Sequence, residues 1–150
     1  MEGDVRLAGQ KTDLAFDPSD AFHDDSVAVL AEAARLDLPL AGPSFVVLES
    51  TCALARRVSD PRFAQAASAQ MAAHPALHLE PLSADLLAEA EQLGVERRLR
   101  GADALYLATA ARLGCLLLSW GEELIARGGA QSPRDWLTAN RATSDPVSGG

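Results

Sequence analysis

Carboxylates set among apolar residues are the groups of this chain best suited to chemistry. Asp103 lies in RRLRGADALYLATAARLGCLLLS, residues 97–119, where Arg97, Arg98 and Arg100 lead through Gly101 to the acidic side chain. Glu49 is the one charge in the middle of the apolar run PSFVVLESTCALAR. Removing a lone carboxylate from water is expensive unless it is paired or bound to a metal, and hard divalent cations prefer oxygen ligands. Each residue has a second reading. Asp103 also suits the first turn of a helix, where the macrodipole favours negative charge. Glu49 also suits an arginine partner inside the fold. The arginines are either contacts for nucleic-acid phosphates or a solvated charge run.

These side chains must be held by regular elements. Ala104 to Leu113 are all compatible with helix, Gly114 supplies a C′ stop, and Cys115–Leu118 is an apolar run of strand length. Upstream, Leu38–Pro43 is a short strand or an extended link, limited by its prolines, and Ser44 is placed to cap a helix from Phe45 to about Arg57. That helix is apolar on most sides and is expected to be buried. Glu49 and Asp103 thus both lie near the starts of helices that follow strand candidates. In parallel α/β sheets, sites form beyond the carboxyl ends of the strands, so the two can converge.

The remaining elements follow from local signals. Val5–Ala8 is a poor first strand, and FDPSD at 16–20 is turn chemistry. His23–Leu36 has helical apolar spacing, and Asp60-Pro61 opens a helix through Ala73 that His74-Pro75 stops. Leu77–Glu80 alternates as a strand; Ser83 caps a helix through Leu93, with Gly94 at C′. Trp120–Leu124 turns into a short helix ended by Gly128-Gly129, and Ser132-Pro133 starts the last one. Helices alternating with short strands indicate a three-layer α/β fold, a mainly parallel sheet flanked by helices. Residues 1–138 are expected to form one domain and 139–150 a flexible polar tail.

Composition narrows the function classes. The 150 residues are 48% apolar and 23% charged, as in an ordinary globular domain. No apolar run reaches the roughly eighteen residues of a membrane span, and MEGDVRLAGQ has no signal-peptide organisation, so a cytoplasmic protein is expected. Cys52 and Cys115 read as buried thiols in a reducing compartment, and the scattered His and Cys lack zinc spacing. A net charge of −8 argues against a generic nucleic-acid coat, but it is compatible with a nuclease whose carboxylates hold metal, or with a basic protein partner.

PSFVVLESTCALAR, RGADALYLATAARLGCLLLSW and SPRDWL, in this order and spacing, resemble the PIN domain, and more narrowly the VapC-type toxin ribonucleases of toxin–antitoxin pairs. FDPSDAFHDDSVAVL resembles the segment after the first strand of that family. The resemblance implies a Mg²⁺- or Mn²⁺-dependent endoribonuclease acting on RNA phosphodiester bonds, a homodimer, and an antitoxin partner whose basic segment covers the acidic pocket. Asp103 and Glu49 match family metal-ligand positions. Two positions depart. The aspartate expected to end the first strand falls at or near Ala8, with Asp4 and Asp13 nearby, and a later acidic position is Gly121. Glu122 is taken as the substitute ligand for the latter, with Glu123 next to it. The same departures support a rival expectation: a PIN-fold binding module without catalysis, kept for antitoxin or homodimer contacts.

Overall fold

The computed structural model describes residues 23–144. The expected first strand, Val5–Ala8, the turn at 16–20 and the aspartate slot at Ala8 lie outside the described residues.

Helix α1 (His23–Arg35) ends in a Schellman turn: Asp37 is left-handed at φ 54°, and the Leu38 amide reaches back to the Ala33 carbonyl at 2.8 Å. Strand β1 (Leu40–Pro43) follows, then α2 (Phe45–Arg57), α3 (Pro61–Ala73) and β2 (Leu77–Glu80). The two strands pair in parallel, Leu40 opposite Leu77 and Pro43 opposite Glu80, with α2 and α3 as the crossover between them. Beyond β2 run α4 (Ala84–Arg97), α5 (Gly101–Leu113), α6 (Glu122–Gly128) and α7 (Pro133–Ser144). No helix among the described residues is long and apolar enough to cross a membrane.

The layering is visible in one pair of neighbours. Leu117 packs with Val46, Tyr106, Ala110 and Leu124, whereas Leu118 packs with Val29, Trp136 and Leu137. Successive side chains of an extended segment face opposite ways, so residues 117–118 run between a layer containing α2, α5 and α6 and a layer containing α1 and α7. A further core joins α4 to α5 through Leu86, Ala90, Ala104, Leu105 and Ala108. The architecture is the expected α/β sandwich with parallel pairing.

Several local expectations require correction. Cys115–Leu118 does not form a full strand; it makes a single parallel bridge, Leu118 to Gln131, held by Gln131 N–H to the Leu117 carbonyl and Ser119 N–H to the Gln131 carbonyl. The partner segment is brief because Ser132 is already capping α7, its hydroxyl accepting from the Asp135 amide. Gly94 does not stop α4. It lies inside the helix, where a Cβ would come within 3.2 Å of the Ala104 Cβ, so this glycine permits close packing on α5. The helix ends instead at Arg98, left-handed at φ 55°, with the Arg98 and Leu99 amides both donating to the Gly94 carbonyl.

Helix α2 is less buried than its composition suggests. Only the stripe Val46, Ser50 and Leu54 is buried, and Leu48 is 59% exposed. Cys52, one turn beyond Leu48 on the same side, is exposed rather than buried, while Cys115 is half-buried with its thiol directed at the Ala110 carbonyl. Ser44 occupies the N-cap position of α2 without a side-chain cap; its amide extends the ladder to the Glu80 carbonyl at 2.7 Å. By contrast, Ser83 caps α4 as expected, and α3 opens at Asp60-Pro61 with the Asp60 side chain as its cap. At the other end, α7 runs to Ser144, so residues 139–144, expected in the tail, are helical.

Candidate functional site

The site is assembled from α2 and α5. On α2, Val46 and Glu49 are one turn apart and share a face; on α5, Asp103, Tyr106 and Ala110 recur at intervals of three and four and share another. Val46, Tyr106 and Ala110 belong to the same buried cluster, so these two faces border one core. The Tyr106 hydroxyl, at the end of a fully buried ring, donates to Glu49 Oε1 at 3.2 Å. Asp103 lies one turn earlier on α5 and is itself buried, at 7% exposure. Glu49 is thus bonded to a residue one turn along α5 from Asp103.

Asp103 occupies the first turn of α5, whose unsatisfied amides favour negative charge. Arg100 at the N-cap adds no side-chain cap; its carbonyl accepts the first helical hydrogen bond, from Ala104, at 2.9 Å. Ser119 is buried at the end of the extended segment, and its hydroxyl accepts from the Gly121 amide at 2.9 Å. A Cβ at Gly121 would come within 3.2 Å of that hydroxyl oxygen, so an acidic residue there would require Ser119 to yield slightly.

Glu122 is exposed on the first turn of α6, and Glu123 beside it is engaged by arginines, with Arg127 at 2.8 Å and Arg100 at 3.9 Å. Arg97, Arg98 and Arg100 are all exposed; Arg97 also donates to the Arg127 carbonyl at 3.1 Å. This rim gives the start of α5 a mixed charge, guanidinium groups outside a carboxylate.

Among the described residues, no three His, Cys, Asp or Glu side chains cluster closely enough to hold a metal ion together, so Glu49, Asp103 and Glu122 do not form one group. The donor chemistry at Glu49 and Asp103 nevertheless fits Mg²⁺ or Mn²⁺. Mg²⁺ is commonly held by one or two carboxylates, with water and substrate phosphates completing its shell. From sequence alone Tyr106 is a packing aromatic, and its bond to Glu49 is an addition of the fold. The available signal was a hydroxyl-bearing ring at i+3 from Asp103 on an otherwise apolar helix face.

Solved structures share this fold at low sequence identity. The sarcin–ricin-loop-cleaving toxin VapC20 of Mycobacterium tuberculosis superposes with a TM-score of 0.67 at 20% identity, covering 81% of this chain and 95% of that one. PAE2754 of Pyrobaculum aerophilum gives 0.62 at 20% identity, over 93% of this chain and 97% of that one. FitAcB of Neisseria gonorrhoeae gives 0.62 at 13% identity, over 85% and 98%. No curated protein sequence matches the chain significantly. Residues 18–129 match the PIN domain, a span running from before α1 to the end of α6 and containing both Glu49 and Asp103. The chain belongs to the PIN domain family.

Proposed function

We propose that this protein is a VapC-like toxin, an endoribonuclease that hydrolyses RNA phosphodiester bonds with Mg²⁺ or Mn²⁺ held by Asp103 and Glu49. The observation that carries the reading is a buried aspartate at the start of α5, one turn before a tyrosine whose hydroxyl donates to Glu49. The family match and the likeness to VapC20 and FitAcB support it. When bound, the cation supplies Lewis-acid stabilisation of phosphate charge and acidifies water. The chain's own residues do the rest. Asp103 and Glu49 supply oxygen donors from two helices packed on one core, so their spacing is set by the fold. Glu122, exposed on the first turn of α6, is a further donor that the substrate complex would bring in. Arg97, Arg98 and Arg100 lie exposed beside this end of α5 and attract the RNA backbone, whose phosphates they position without reading sequence. The protein acts in the cytoplasm as a homodimer, restrained by an antitoxin whose basic segment complements a chain of net charge −8.

Gly121, at a position where an acidic residue is expected, favours a second reading, a PIN-fold module that binds an antitoxin or a second copy without cleaving RNA. Calorimetric titration of Mn²⁺ into the wild type and Asp103→Asn, followed by cleavage assays on single-stranded RNA, separates the two. The nuclease reading expects Mn²⁺ binding in the micromolar to low-millimolar range that disappears in the variant, with metal-dependent cleavage alongside. A folded wild type that binds no Mn²⁺ and cleaves no RNA would leave the binding module as the function.

A further inference from the structure

We infer that Tyr106 is a positioning residue for Glu49, holding its carboxylate in place for the cation rather than merely filling the core; this rests on the metal-dependent reading above. The ring is fully buried among Val46, Ala110, Leu117, Leu124 and Ala130, so its orientation is set by packing on every side. Such a ring is a rigid arm with few rotatable bonds, and its hydroxyl reaches Glu49 Oε1 at 3.2 Å.

Glu49 is a long side chain on a half-exposed helix, next to Leu48 at 59% exposure. Fixing the several torsions of a glutamate in one rotamer loses conformational entropy. A hydroxyl donating to one carboxylate oxygen restricts that choice in advance. Hydrogen bonds to ligating carboxylates are a general device for raising metal affinity, and their removal typically weakens binding about 10–100-fold.

The placement also links the two ligands. Asp103 and Tyr106 share one face of α5, so the element that carries Asp103 also carries the group that aims Glu49. Any shift of α5 against α2 changes both together, and the buried cluster that holds Val46, one turn before Glu49, together with Tyr106 opposes such a shift.

Tyr106→Phe removes the hydroxyl and retains the ring, and thermal denaturation checks that the fold survives. Mn²⁺ affinity by calorimetry is expected to fall about 10-fold in this variant. In a Glu49→Gln background the same change is expected to have less than about 2-fold effect, since the bond to the carboxylate is already altered. Tyr106 is the only tyrosine in the chain. A sample labelled with ¹³Cζ-tyrosine therefore gives a single resonance, expected to move on adding Mg²⁺ to the wild type and to stay fixed in Glu49→Gln. This measurement needs no variant at position 106. Mn²⁺ binding that is lost in Asp103→Asn but unchanged in Tyr106→Phe, with a resonance indifferent to Mg²⁺, would overturn the positioning role and leave the metal site standing. Absence of Mn²⁺ binding to the wild type would overturn both.

Discussion

The two ends of α5 handle carboxylates in opposite ways. At its C-terminal end, Arg112 in the last turn forms a bidentate pair with Glu89 of α4, at 2.7 and 3.2 Å, and approaches Glu80 of β2 at 3.8 Å. The guanidinium hydrogen bond holds the Glu89 carboxyl below its ordinary pKa and raises that of Arg112 in turn. A cation at a helix C-terminus also suits the macrodipole. At the N-terminal end, Asp103 is buried in the first turn and Glu49 receives a phenolic hydroxyl. One end answers negative charge with a full positive charge and is structural. The other places Asp103 in the first turn, where the macrodipole favours negative charge, and gives Glu49 a phenolic donor. The two arrangements lie about two and a half turns apart on one helix.

The contrast can be broken from either side. The largest effect is expected from Asp103→Asn, which should weaken Mn²⁺ binding by at least about 100-fold, beyond the 10–100-fold typical of outer-shell partners, as read by calorimetry. Gly94→Val forces α4 away from Ala104, near the start of α5, and should destabilise the fold by about 1–3 kcal/mol in urea denaturation. Ser83→Ala removes the α4 cap near Arg112 and should cost about 1 kcal/mol in the same assay, with Mn²⁺ binding unaffected. The smallest change is expected from Arg112→Ala. Since Arg112 lowers the folded-state pKa of Glu89, the stability it contributes is present above the unfolded carboxylate pKa and is lost as pH falls through the folded one. The wild type should therefore melt slightly above the variant at neutral pH, and the two melting curves should converge in acid. A gap that widened in acid would contradict the pairing.

Much of this arrangement was legible in the residues. The α5 boundaries followed from helix formers ending at Gly114, which is left-handed at φ 62°, and the caps at Asp60, Ser83 and Ser132 each accept the expected amide. Local chemistry determines such features. What depended on distant packing was less visible. Gly94 carried the signal of a helix stop, yet it serves interhelical contact, because nothing local distinguishes a glycine needed for φ from one needed for closeness. The apolar run in α2 suggested burial on most sides, but only one stripe found a partner, so Cys52 is exposed. At the site, Asp103 and Glu49 stood out by charge in apolar context, whereas the role of Tyr106 depended on which helix α5 would meet.

The joint between α4 and α5 carries one more consequence. Arg98 takes the left-handed conformation that ends α4, at φ 55°, where a residue with a Cβ gives up about 1 kcal/mol relative to glycine. For anyone engineering a hardier protein, Arg98→Gly is thus a direct substitution, since the side chain is exposed. If the proposed RNA binding holds, the same change removes an exposed guanidinium from the segment leading into α5 and is expected to loosen the grip on RNA. Under that proposal, shelf life and nucleic-acid affinity pull against each other at a single side chain.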